Sequence, residues 1–178
     1  MDTEEVVMDN INLSIAQQLY GKLLDGSDKH SNASSLAADR TLESMDRYLK
    51  KAGMGREALD PTKQLDEINQ GIESVRKAAA LTHARKVYEQ MLKGFSTGSN
   101  TVKFRAPAGA TDSVTLMDYE LTVAGVGREA LSPGIPVADI NRSIEEILSN
   151  HPRTGEGSIL GITAQDWVRA RAGVAAGR

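Results

Sequence analysis

A chain of 178 residues with no cysteine, 4% aromatic residues and a net charge of -3 has material for one good core or two small ones. The cysteine count removes disulfides, thiolate zinc sites and cysteine nucleophiles together. A balance this near neutral gives no basic patch to hold nucleic acid by its phosphates, and scarce aromatics point to a core of Leu, Ile, Val, Met and Ala packed as helices rather than as a sheet sandwich.

The chain is written twice. With a shift of 72, Met45-Asp46, Leu49, Ala52-Gly53 and Gly55-Arg56-Glu57-Ala58-Leu59 fall on Met117-Asp118, Leu121, Ala124-Gly125 and Gly127-Arg128-Glu129-Ala130-Leu131. Residues 42–76 against 114–148 share 15 identities in 35 positions, where about two are expected by chance. The fold expected is mostly α: a tandem duplication of a three-helix unit, 1–80 and 81–149, with a short C-terminal helical arm at 150–178. The two units, each near the lower size limit for its own core, are expected to pack as one compact body.

The first 20 residues lack the apolar core of a signal peptide, and no run of 18 apolar residues offers a membrane span. A cytoplasmic or virion-borne protein is the expectation, neither secreted through a signal peptide nor in the membrane. In chain order, helix A is expected near 11–24 from the stripe Ile15, Leu19 and Leu23. Its copy near 81–95 is expected from Val87, Met91 and Phe95, with matching stops at Gly26-Ser27 and Gly98-Ser99. Polar stretches follow at 25–35 and 97–113, the second holding Thr101 to Pro107 as a possible extended arm. Loops of this kind are where duplicated units diverge and where function accumulates.

Helix B rests on both copies. Residues 113–123 alone have the β-branched and aromatic content of a strand. The apolar positions shared by both copies, 42/114, 45/117, 49/121 and 52/124, are spaced as on a helix. Helices are therefore expected at 42–51 and 114–123. Helix C is predicted to open at Asp60-Pro61 and Ser132-Pro133, an N-cap followed by proline at the first helical position. It runs over 61–80 and 133–149 with the stripes Leu65, Ile68, Ile72, Val75 and Val137, Ile140, Ile144, Ile147 facing the core. Asn150 to Gly157 then breaks the chain, and Thr163 opens a short helix bearing the sole tryptophan, Trp167.

Candidate chemistry is sparse. Gly53-Met-Gly55-Arg-Glu-Ala58 and its copy match a dinucleotide-binding pattern formally. That pattern needs a buried strand before it and an uninterrupted helix after it, and Lys50-Lys51 and Pro61 oppose both. A glycine at a helix C-terminus followed by a tight corner explains it better. Arg56-Glu57 and Arg128-Glu129 are either symmetric contact points for a partner or a local ion pair, with arginine bonding to exposed helix carbonyls as a further option. Asp46/Asp118 and Glu73/Glu145 fit solvated helix faces better than acid–base pairs. Asn69 and Asn141, poor helix residues placed twice inside helix C, point to a hydrogen-bonding task. His30, His83 and His151 show no ligand spacing.

The expected function is therefore non-catalytic, with no cofactor and no metal: a structural or assembly protein working through protein partners or self-association, a homo-oligomer such as a bacteriophage virion component. The residues expected to carry contacts are Trp167, Arg169, Arg171, Arg56, Glu57, Arg128 and Glu129. One alternative is an adaptor that binds a peptide or helix between the repeats. The other is a small-ligand binder or enzyme using the 97–113 loop.

Overall fold

A computed structural model describes residues 3–25, 34–93 and 110–150. The predicted arm 150–178 with Trp167, Arg169 and Arg171, the segment Thr101 to Pro107, Phe95 and Gly98-Ser99 lie outside the described residues, Asn150 apart. Among the described residues the chain is mostly helical, without strands: α1 Thr3–Asp25, α2 Ser35–Lys51, α3 Leu65–Leu92, α4 Ala110–Ala124 and α5 Val137–Asn150, with 3-10 turns at Arg56–Ala58 and Arg128–Ala130. It divides into two compact units, 1–79 and 80–178.

In unit 1, α1 packs on α2. Its core gathers Ala16, Tyr20, Leu23, Ala38, Met45, Leu49, Leu59, Ile68 and Ile72. Ser34 caps α2, its hydroxyl accepting from the Ala37 N–H at 3.2 Å. In unit 2 the core gathers Ala84, Val87, Tyr88, Met91, Met117, Leu121, Leu131, Ile140 and Ile144. Five members of each core correspond at the 72-residue shift: 45/117, 49/121, 59/131, 68/140 and 72/144.

Helix A obeys a different shift. Ala16, Tyr20 and Leu23 in unit 1 are matched in burial by Ala84, Tyr88 and Met91, a displacement of 68. The pairing of Ile15, Leu19 and Leu23 with Val87, Met91 and Phe95 is therefore one turn out of register. The helix also ends at Leu92, short of the expected stop at Gly98. The extra four residues fall between helix A and helix B of the second unit.

Further boundaries move: α1 opens at Thr3 rather than near 11, and α2 and α4 open at Ser35 and Ala110 rather than at 42 and 114. Between Ile72 and Leu92 there is neither glycine nor proline, so helix C of the first unit and helix A of the second are one continuous 28-residue helix, α3. Helix C opens at Leu65 and Val137, four residues after the expected proline. Asp60-Pro61 and Ser132-Pro133 instead form tight turns, with the Lys63 N–H donating to the Asp60 carbonyl and the Ile135 N–H to the Ser132 carbonyl, both at 3.1 Å. Gly134 has φ +92°, a left-handed conformation through which a right-handed helix does not run. The Pro136 carbonyl accepts the first helical bonds instead. The late start leaves Leu65 and Val137 exposed, outside the core stripe in which they were placed.

The segment 113–123 is helical, within α4. Its buried side chains Ser113, Met117, Glu120 and Leu121 share one helical face. Packing of that face outweighs the local strand preference of Val114, Thr115 and Tyr119.

Candidate functional site: two clamped corners and a buried pair

Both α2 and α4 end in the same way. Gly53 (φ +66°) and Gly125 (φ +74°) take the left-handed conformation. The Met54 N–H reaches back to the Leu49 carbonyl at 3.0 Å and Val126 to Leu121 at 3.1 Å, while Gly53 bonds Lys50 and Gly125 bonds Thr122. This is the paired hydrogen bonding of a Schellman stop. The chain then turns sharply into the 3-10 segment, as the expected corner requires.

Within that corner each arginine makes three side-chain hydrogen bonds. Arg56 Nε and Nη2 donate to the two Asp46 carboxylate oxygens at 2.8 and 2.6 Å, and Nη1 donates to Asn69 Oδ1 at 3.1 Å. Arg128 does the same with Asp118 at 2.9 and 2.6 Å and with Asn141 at 2.9 Å. Each guanidinium thus ties the end of one helix to the start of the next by a two-pronged bond. The bond to the carboxylate raises the pKa of both arginines. Four consequences follow for the expected site residues. The arginine takes part in a local ion pair, but with Asp46 or Asp118, not with its neighbour Glu57 or Glu129. Asp46 and Asp118 are clamp acceptors rather than merely solvated charges. Asn69 and Asn141 have the hydrogen-bonding task their awkward position suggested. Glu57 and Glu129 are exposed, and the Glu129 carboxylate folds back to accept from the Gly127 N–H at 3.0 Å.

A second anchor holds the far side of each corner. Gln17 donates to the Ala58 carbonyl at 2.9 Å, and Arg85 donates to the Ala130 carbonyl at 2.8 Å. The acceptors correspond at a shift of 72 and the donors at 68, which repeats the displaced register of helix A.

Besides Glu57 and Glu129, the corners expose apolar side chains. Met54 and Val126 are 39% and 38% accessible, Leu65 and Val137 are 43% and 44%, and Ile135 is 46%. The first four are two corresponding pairs, with nearly equal exposure in each unit.

The units differ elsewhere. In unit 2 the His83 ring lies 2.9 Å from Glu120 Oε1, Nδ1 to oxygen, and both side chains are buried. The corresponding positions in unit 1 are Ile15 (shift 68) and Tyr48 (shift 72). The pair escaped sequence reasoning because His83 was aligned with no core position. The signal was there: His83 stands one turn before Val87, on the buried face. In unit 1 an ion pair joins Arg76 to Asp39 at 2.7 Å, where unit 2 has Leu148 and Thr111.

Among the described residues no three His, Cys, Asp or Glu side chains gather as a metal site, and no helix is long and apolar enough to cross a membrane. Comparison with protein-family models, curated proteins and solved structures gives no match.

Proposed function

We propose that this chain is a tandem duplication of a three-helix unit serving as a non-catalytic structural or assembly protein, and that it works through protein–protein contacts. A homo-oligomer, such as a component of a virion, is the setting that fits best. The observation that carries the proposal is the chemistry of the two corners. The guanidinium, carboxylate and amide of each clamp are engaged with one another, and apolar side chains, Met54/Val126 and Leu65/Val137, are left facing solvent at corresponding positions of both units. Apolar side chains kept exposed at corresponding positions of two units fit a contact surface used twice. The arm 150–178, with Trp167, Arg169 and Arg171, is the proposed docking element, since a tryptophan beside arginines is the composition of an interface anchor. Its balance of 4 basic against 2 acidic residues complements the 10 basic against 14 acidic of residues 1–80.

The test is substitution at the corners. Met54→Glu with Val126→Glu keeps the glycine stops and the clamps, and sedimentation velocity should show the assembly reduced or lost at unchanged helicity. An assembly indifferent to both substitutions contradicts the role given to the corners.

A further inference from the structure

Helix α1 carries two apolar faces, and among the described residues only one of them is gathered into a core. Ala16, Tyr20 and Leu23 enter the core of unit 1, and among the described residues α1 joins that core from Leu13 onward. Val7, Met8 and Ile11 are 56%, 58% and 48% exposed, although their i, i+1, i+4 spacing makes them neighbours on the helix surface. At 100° per residue their mean direction lies about 140° round the helix from the buried face. Val7, Met8 and Ile11 thus keep about half of their surface open to solvent. Covering these side chains would remove apolar surface from water, which is favourable.

The charge of this end restricts what can cover it. Residues 1–21 hold four carboxylates, Asp2, Glu4, Glu5 and Asp9, and no lysine or arginine. A second copy of the same end would bring like charges together. A basic amphipathic segment would not. Residues 163–178 of this chain have that composition, with Arg169, Arg171 and Arg178 against Asp166, and with Trp167, Val168 and Val174 as apolar anchors.

We infer that the exposed face of α1 formed by Val7, Met8 and Ile11 is the receiving surface for the C-terminal segment 163–178 of a second copy of this chain. The inference rests on the assembly reading above and adds to it the surface on which the arm lands. A contact of this kind is head-to-tail, so it propagates from copy to copy unless its rotation closes a ring.

The cysteine-free sequence permits a direct test in the full chain. Ser14 is exposed two turns beyond Val7, on the same side of α1. Ser14→Cys and Ala170→Cys are made in separate proteins, which are mixed and oxidised. The mixture should give an intermolecular disulfide well above either protein alone. Val7→Asp with Ile11→Asp should lower the yield about tenfold, as expected for losing central apolar anchors. Arg169→Glu with Arg171→Glu should lower it likewise while leaving unit 1 untouched, which guards against a folding defect in the α1 variant. Assembly that persists in light scattering without this cross-link overturns the α1 assignment and leaves the assembly reading standing. A chain monomeric at every concentration overturns both. A monomeric disulfide within one chain carrying both cysteines shows that the segment covers its own α1, and overturns the second copy as occupant.

Discussion

Replacing Arg56 by lysine keeps the charge and removes the fork, so it isolates what the clamp geometry contributes. In the structure three N–H groups of Arg56 reach Asp46 and Asn69 at 2.6 to 3.1 Å, with the Arg56 and Asp46 side chains 32% and 39% exposed. An exposed ion pair contributes about 0.2–1 kcal/mol, and a hydrogen bond to a charged group in a protected site about 1.5–3 kcal/mol. A pair one-third exposed belongs between these limits, so Arg56→Lys or Arg56→Ala should cost about 1–2 kcal/mol. Urea unfolding of Arg56→Ala, Asp46→Ala and the double variant gives the coupling, expected at about 1 kcal/mol. The cycle at Arg128 and Asp118, whose geometry is nearly the same, should give an equal value within error. Coupling below about 0.3 kcal/mol at both corners, or a lysine that replaces arginine without loss, refutes the clamp.

Other outcomes follow from the same geometry. Truncation of Ile68, Ile72, Ile140 or Ile144 to alanine should each cost about 2–5 kcal/mol in chemical unfolding, since all four are buried. His83→Leu removes the 2.9 Å bond to Glu120 and should cost about 1–3 kcal/mol, which thermal melts of the variant against the parent chain check. Gly53→Ala and Gly125→Ala force a left-handed alanine and should each destabilise by about 1–2 kcal/mol. The Asp60 carboxylate, bonded first by the Thr62 hydroxyl and then by Lys63, is lowered from 3.8 to about 2. A carboxylate with a depressed folded pKa stabilises the fold above its ordinary pKa, and that contribution fades as pH falls through about 2. An NMR titration should find the low midpoint, and Thr62→Val should return it toward the ordinary value.

Helix B and the corner after it were legible in the sequence because they rest on residue types with no substitute. A left-handed glycine, a core methionine or leucine, and an asparagine inside a helix each have few explanations. The register of helix A was not legible from its stripe. A stripe spaced by four overlaps itself when shifted by four: 15/19/23 falls on Val87, Met91 and Phe95 at a shift of 72 but on His83, Val87 and Met91 at 68, so apolar spacing alone favours the wrong register. The less periodic identities decide it: Leu13/Leu81, Ala16/Ala84, Tyr20/Tyr88 and Leu24/Leu92 agree at 68. The same slip hid His83. The clamp partner of Arg56 was missed because Glu57 is adjacent in sequence, whereas side chains one apart on a helical turn point in different directions. Asp46, ten residues earlier and across the Schellman stop, lies closer in space. The starts of α3 and α5 were misplaced because proline after an N-cap residue is also a turn signal, and Gly134 favours the turn.

The central claim is that the apolar side chains left exposed by this fold exist for contact with other protein, foremost with further copies of the chain. Light scattering of the full-length chain from micromolar to millimolar concentration tests it most directly. A mass that rises to a defined multiple of 19.1 kDa, and falls back when Met54 and Val126 carry glutamate, is the expected result. A mass that stays at that of one chain throughout contradicts it.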